Sequence, residues 1–437
     1  MRKILGRVPV VTAAAVLALA AGSTVEFAPQ ANAGPDAFYE YHGATPLSSI
    51  EPGTVLDTRI LPYHVSGLPL PVTAVQLLYR TTDAQQRPAV GVTSVLVPPG
   101  SDPAKAVAYQ SFYDSLNPAD SPSRAVAGDV TFGGMVNASE GVLIAPLLAQ
   151  GYTVIVDDTE GEQADFAAGP EYGMNTLDSI RAATHSSATG LNADARIGMI
   201  GYSGGAIATN WAAALAPSYA PDVDANLVGA AEGGVLVNPA RNLSYISGSI
   251  GWSGVAAMAI IGIARSYDID FTPYLSGYGA QVVSRLSNAS IANVLFQYPG
   301  LTWQQMAKPE YADPNSVPPF VEAVRKIDLG LAPTPTIPMF IGQGANGELE
   351  GSDGSKPGIG HGDGVMVAGD VRALANQYCE TGNPSIQYQQ YDLLSHVPSM
   401  APWSPVALGW LNDRFAGAPA PTSCGAIAPG NPLTPEL

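Results

Sequence analysis

The sequence predicts an α/β fold: a mostly parallel β-sheet with helices on both faces and an inserted helical cap. Three observations carry that reading. Short apolar runs alternate with helical patterns between residues 106 and 233, the alternation stops over residues 238–331, and it resumes near Ile337. Strands that alternate with crossover helices build parallel sheets covered on both faces. A stretch of apolar helices inserted between two core strands reads as a cap over the carboxyl ends of the strands. The predicted organisation is a leader over residues 1–33, a first part of the core over 34–237, the cap over 238–331, and a second part of the core with a C-terminal tail over 332–437.

The leader rests on Arg2, Lys3 and Arg7 ahead of an apolar run at 8–21, with Ala31, Asn32 and Ala33 fitting a small-x-small cleavage site. That run is too short to span a bilayer, and no later run reaches the roughly 18 to 20 apolar residues a membrane helix needs. The expectation is an exported protein without a transmembrane segment.

Residues 34–71 are rich in Pro, Gly and Ser and read as an arm over the fold. Residues 72–80 and 90–97 are β-rich, and the polar stretch 81–86 suits a hairpin between them. A buried strand follows at 106–112, then a helix at 142–150 and a strand at 152–156. A helix at 173–184 leads to a strand at 197–200, and another strand lies at 227–233. Within the cap, helical faces are expected at 255–263, 282–294 and 317–327. The core then continues through strand 337–341, helix 365–378, strand 386–391 and helix 405–415.

The formal net charge of −18, from 37 acidic and 19 basic side chains, excludes nucleic acid as an expected partner, because phosphate binding requires a basic surface. Gly and Pro number 47 and 38, which implies many tight turns. The two cysteines, Cys379 and Cys424, read as a disulfide in an exported chain. Without clustered histidines they do not make a metal site, and no metal or other cofactor is expected.

Chemistry concentrates at Gly201, Tyr202, Ser203, Gly204 and Gly205, where an apolar strand breaks into an Ala-rich helix. G-x-S-x-G in that context is a nucleophile elbow, a turn so sharp that only small residues fit two places before and after the serine. The bland alternative is a Gly-rich turn with a capping serine, and the flanking strand and helix weigh against it. A serine hydroxyl needs a base and an orienting carboxylate, which in this architecture follow in the order serine, acid, histidine. Two histidines follow Ser203. His396 comes just after strand 386–391, where the last loop of the sheet delivers a base, whereas His361 reads as a surface histidine. The acid belongs on the loop after strand 337–341, which offers Glu348, Glu350, Asp353 and Asp363. Asp363 is favoured because it stands before a helix, where it could also be a plain N-cap, and Asp353 lies in a Gly/Ser stretch. Oxyanion donors are expected from the Gly204 N–H and from the loop carrying Tyr113, Asp114 and Ser115.

These residues resemble the secretory lipases of the lipase A type known from yeasts and actinobacteria. Besides the elbow with Ala206, the resemblance includes Tyr113-Asp114-Ser115, the segment 157–161, Ala168 to Met174, Ser218-Tyr219-Ala220-Pro221, Gly233-Gly234, Asp363 to Val367, Cys379 and His396. It implies an α/β-hydrolase fold with a helical cap, a triad of Ser203, Asp363 and His396, and an oxyanion hole from Asp114 and Gly204. The leading functional expectation is a serine lipase or esterase that works through an acyl-enzyme on lipid or other carboxylic esters, with a lipid–water interface as a candidate partner. The long loop before Asp363 leaves Asp353 as the rival acid. An acyltransferase or peptidase on the same fold, or a non-catalytic binding protein, are the competing readings.

Overall fold

The computed structural model describes residues 36–434, so the leader at 1–33 lies outside the described residues. Nine strands form one sheet: β1 (Val55–Val65), β2 (Leu68–Thr82), β3 (Pro88–Val97), β4 (Lys105–Gln110), β5 (Thr153–Asp157), β6 (Arg196–Tyr202), β7 (Leu227–Gly233), β8 (Met339–Gly344) and β9 (Ile386–Tyr391). Their order is β1-β2-β3-β5-β4-β6-β7-β8-β9. The pairings β1/β2, β2/β3 and β3/β5 are antiparallel, and every pairing from β5/β4 to β8/β9 is parallel. The sheet is therefore mostly parallel, as the alternation predicts.

The pleat sorts side chains between two cores. In β4, Ala106 and Ala108 face one hydrophobic cluster while Val107 and Tyr109 face the other. The first cluster takes in the elbow helix Gly204–Tyr219 and the helix Ala368–Glu380; the second takes in Trp403, Trp410 and Leu411 of the last helix, His396–Phe415. Both faces of the parallel strands are thereby covered, which is why these strands are apolar along their length.

Several boundaries differ from the sequence reading. The segment 34–71 is not only an arm: it contains β1 and the start of β2, joined at Ser66 and Gly67, both at positive φ, the pair of conformations a two-residue hairpin turn demands. Prolines at 62, 69 and 71 hide these strands; Pro62 lies in the edge strand β1, and Pro69 and Pro71 lie in the part of β2 that precedes its pairing with β3, which begins at Thr73. The last helix begins at His396 and not at residue 405, since Pro402 and Pro405 lie inside it. The expected helix at 282–294 is two pieces, Gly277–Leu286 and Ile291–Val294, and Ser290 with Asn293 caps the second.

Between β7 and β8 the described residues hold helices and turns and no strand. Most of their apolar side chains are spent on a core of their own, built from Trp252, Met258, Val282, Leu286, Trp303 and Phe320 with others, and joined by Leu116 and Phe166 from the sheet side. Cys379 and Cys424 form a disulfide with Cα atoms 5.6 Å apart. It holds the tail against the outer edge of β9, where the Ser423 N–H donates to Ile386 O at 2.7 Å. An open sheet edge is thereby partly covered. Among the described residues, no helix is long and apolar enough to cross a membrane.

Candidate active site

Strand β6 ends at Tyr202, and Ser203 turns the chain with φ 54° and ψ −120° before the elbow helix begins at Gly204. That strained conformation is stabilised by a hydrogen bond from the Ser203 N–H to Gly233 O at 2.8 Å on the neighbouring strand. Close approach explains the glycines. A Cβ on Gly201 would stand 2.2 Å from Gly205 O, and one on Gly205 would stand 2.1 Å from Gln110 O. Gly204, an unrestricted position in the motif, is equally constrained here, because its Cβ would meet the Asp114 carboxylate at 1.8 Å.

His396 begins the last helix, 2 % exposed, with Nε2 2.7 Å from Ser203 Oγ. Its Nδ1 lies 2.7 Å from Asp363 Oδ2, and its backbone N–H donates to Asp363 O at 2.6 Å. Asp363 is not the N-cap of the following helix. That position is Val367 and the helix starts at Ala368, three residues later than the sequence reading. The Asp363 carboxylate is instead held by a tight turn, accepting the N–H groups of Val365 at 3.0 Å and Met366 at 2.7 Å, and the Gln343 side-chain amide at 2.9 Å. Three donors and the imidazole fix its orientation, which is what a histidine-orienting acid requires.

The other candidates separate cleanly. Asp353 is exposed and accepts the Ser355 N–H at 2.8 Å. Glu348 pairs with the exposed His361 at 3.1 Å. Glu350 is buried beside His396, where it accepts the Val397 N–H at 3.0 Å and the Trp252 Nε1–H at 2.7 Å. The Trp252 ring meets His396 edge to face at 5.2 Å, so this carboxylate holds a cap residue against the imidazole.

Burial by itself pulls the His396 pKa down, but Asp363, with Glu350 and Asp114 behind it, outweighs burial and leaves it above the ordinary histidine value. Burial pushes the Asp114 carboxyl up to about 7, against the pull of His396. Burial also raises two neighbouring acids, Glu140 to about 8 and Glu160 well above the carboxylate range.

Asp114 lies in the loop four residues after β4, with φ 38°, packed on Gly204. The loop around it is pinned by carboxylates on both sides. Glu140 accepts the Phe112 N–H at 2.6 Å and the Ser111 hydroxyl at 2.8 Å, and Glu160 accepts the Ser115 N–H at 3.2 Å. The Gly204 N–H belongs to the first turn of a helix, whose donors have no partner within the helix. The arrangement thus brings together a hydroxyl, an imidazole and a carboxylate in one chain of hydrogen bonds. Beside it stand a helix N-terminus and a buried backbone turn.

Sequence reasoning gave no role at the site to Glu140, Glu160, Trp252 or Gln343, which act through residues far away in the chain, and it weighed Glu350 only as a rival acid. Gly234 carried a signal in its doublet with Gly233. At φ 66°, a Cβ there would touch His396 Cε1 at 2.6 Å.

A model of the secretory lipase family matches residues 129–357 and 358–423. Lipase 4 of Candida albicans is 32 % identical over 386 residues, covering 85 % of this chain and 80 % of the yeast protein. A protein of Mycobacterium tuberculosis described as a probable inactive lipase is 32 % identical over 376 residues, covering 84 % and 79 %. Among solved structures, Candida antarctica lipase A in its closed state superposes with a TM-score of 0.76 over 92 % of this chain and 91 % of that one, at 24 % identity, a likeness of fold.

Proposed function

The chain belongs to the secretory lipase family, has an α/β-hydrolase fold and is a hydrolase of the lipase and esterase kind, and from that premise we propose a serine mechanism at Ser203. The observation that carries the proposal is the unbroken hydrogen-bonded series from Ser203 Oγ through His396 to Asp363.

In the proposed reaction, Ser203 Oγ attacks the ester carbonyl while His396 Nε2 takes its proton, and Asp363 holds the Nδ1–H and stabilises the imidazolium. The oxyanion accepts hydrogen bonds from the N–H groups of Gly204 and Asp114. His396 then returns the proton to the departing alcohol, leaving an acyl-enzyme, and activates a water that releases the acid. Each member is buried or fixed by neighbours before substrate arrives, so little reorganisation remains for the transition state.

The substrates proposed are lipid esters, with residues 238–331 acting as the cap that meets the acyl chain. Its seating on Leu116, Phe166 and the loop leading to Val367 supports that role. Export is proposed from the leader and is consistent with the disulfide. The test is a series of nitrophenyl esters from acetate to octanoate with a triacylglycerol emulsion. Burial of each CH₂ adds up to about 0.8 kcal/mol, so octanoate should be preferred. Equal turnover of acetate and octanoate, with no action on the emulsion, would restrict the enzyme to small esters.

A further inference from the structure

We propose that the cap forms part of the oxyanion apparatus: its residues Ala289 to Ile291 set the direction of the Asp114 N–H by clamping the Asp114–Ser115 peptide. The inference rests on the reading of Asp114 as an oxyanion donor.

Asp114 holds φ 38°, a left-handed conformation that costs a non-glycine residue about 1 kcal/mol or more and persists where neighbours over-determine it. The constraint acts on the peptide that follows. Its oxygen accepts the Ile291 N–H at 2.7 Å, and its nitrogen, that of Ser115, donates to Glu160 at 3.2 Å. A peptide unit is planar, so holding both ends fixes the plane and with it the rotation at Asp114. On the other side, Tyr113 is fixed by its N–H to Ser111 Oγ at 3.1 Å and by its hydroxyl, which accepts the Glu160 N–H at 3.2 Å. The Asp114 N–H lies between these two anchored units.

One of the anchors is core and the other is cap. Ser115 and Ser290 pair as an antiparallel bridge, both fully buried, and the Leu116 N–H donates to Ala289 O at 2.8 Å as its second rung. Arg265, near the end of the cap helix Ser253–Ser266, ties both sides of this bridge together. Its guanidinium donates to Leu116 O at 2.9 Å and to Ser287 O at 2.9 Å, and also to Ala164 O and Gln163 O. A planar fork with five donors can serve all four carbonyls at once, one more than the three N–H groups of a lysine. The same helix starts beside Trp252, which packs on His396. One cap helix therefore reaches the base at one end and the oxyanion loop at the other. Ile291 and Arg265 are positioning residues, since neither touches the reacting atoms.

The decisive variant is Ile291→Pro. Ile291 is the first residue of its helix, where proline is accepted, and Ser290 before it is extended at φ −102° and ψ 171°. The substitution therefore keeps the helix start while it replaces the N–H by the ring Cδ, which faces Asp114 O and forces the peptide out of the clamp. Ile291→Ala shortens the side chain and keeps the N–H. With nitrophenyl butyrate, Ile291→Pro should lower kcat roughly 10- to 100-fold with KM nearly unchanged, because a displaced donor acts on the transition state. Affinity for butaneboronic acid, whose adduct places an oxygen in the hole, should fall in parallel, while the pH midpoint set by His396 stays in place. Ile291→Ala should remain within about threefold of wild type. Arg265→Gln should show the same split and serves if the proline variant does not fold. Equal losses in Ile291→Pro and Ile291→Ala, or wild-type kcat in folded Ile291→Pro or Arg265→Gln, would overturn the inference alone. A wild-type protein that neither turns over esters nor binds the boronate overturns the serine mechanism with it.

Discussion

Replacing Gly234 by alanine should disable the enzyme without removing any group that reacts. The new Cβ would stand 2.6 Å from His396 Cε1, 3.0 Å from Nδ1 and 3.5 Å from Asp363 Oδ2. Carbon atoms settle at about 3.5 to 4.0 Å from one another, so the ring must retreat by about 1 Å. Its route is limited by Tyr202 and Trp252, each with its ring centre 5.2 Å away, and by the backbone bond to Asp363 O. The 2.7 Å contact from Nε2 to Ser203 Oγ then lengthens beyond useful hydrogen-bond range. A displacement of about 1 Å costs on the order of 10²-fold in rate. Alanine at φ 66° costs a further 1 to 2 kcal/mol or so of stability, which lowers Tm by a few degrees and leaves the fold intact. Nitrophenyl butyrate hydrolysis and a thermal melt measure both effects. A folded Gly234→Ala with kcat within about threefold of wild type would show that the imidazole is not confined as described.

Asp363→Asn should lower kcat by about 10⁴-fold, through the wrong histidine tautomer, while Asp353→Asn changes it little; the reverse ranking refutes the choice of acid. Activity requires neutral His396, so kcat/KM should fall as pH drops through a midpoint above the ordinary histidine value of 6.5; a midpoint below 6 contradicts the carboxylate influence. Burial raises Glu232 and Glu140 to about 8 in the folded state, so the native protein holds these protons more tightly than the unfolded chain. Stability should then be greatest at acid pH and decline as pH rises from the ordinary carboxyl range to about 8, with Glu232→Gln flattening the decline of Tm between pH 5 and pH 8. Cys424→Ser opens a loop of 45 residues and should cost up to about 4 kcal/mol, read from a denaturant melt; an unchanged midpoint refutes a stabilising role for the bond.

What the sequence made legible was what repeats or clusters locally. The parallel strands announce themselves because both of their faces are covered, and the elbow does so because Gly201 and Gly205 cannot be anything larger. His396 could be placed because it follows a recognisable strand, whereas the loop after β8 offered four acids and the helix that favoured Asp363 begins only at Ala368. The edge strand β1 was hidden because it is half exposed and carries Pro62, so it shows neither an apolar run nor clean alternation. The start of the last helix was hidden by Pro402 and Pro405, which tertiary packing of Trp403 and Trp410 overrides. The acids that hold the Asp114 loop have no local signature: Glu140 and Glu160 lie 28 and 45 residues beyond the N–H groups they accept. Their role exists only once the chain is folded.

The central claim, that Ser203 is the nucleophile of an intact triad, is tested most directly by treating the folded protein with a fluorophosphonate and locating the adduct by peptide mass analysis. One adduct per chain on Ser203, absent from Ser203→Ala and formed more slowly as pH falls through the His396 midpoint, is the expected result. An adduct on another residue, or a Ser203→Ala variant that still turns over ester at the wild-type rate, would contradict it.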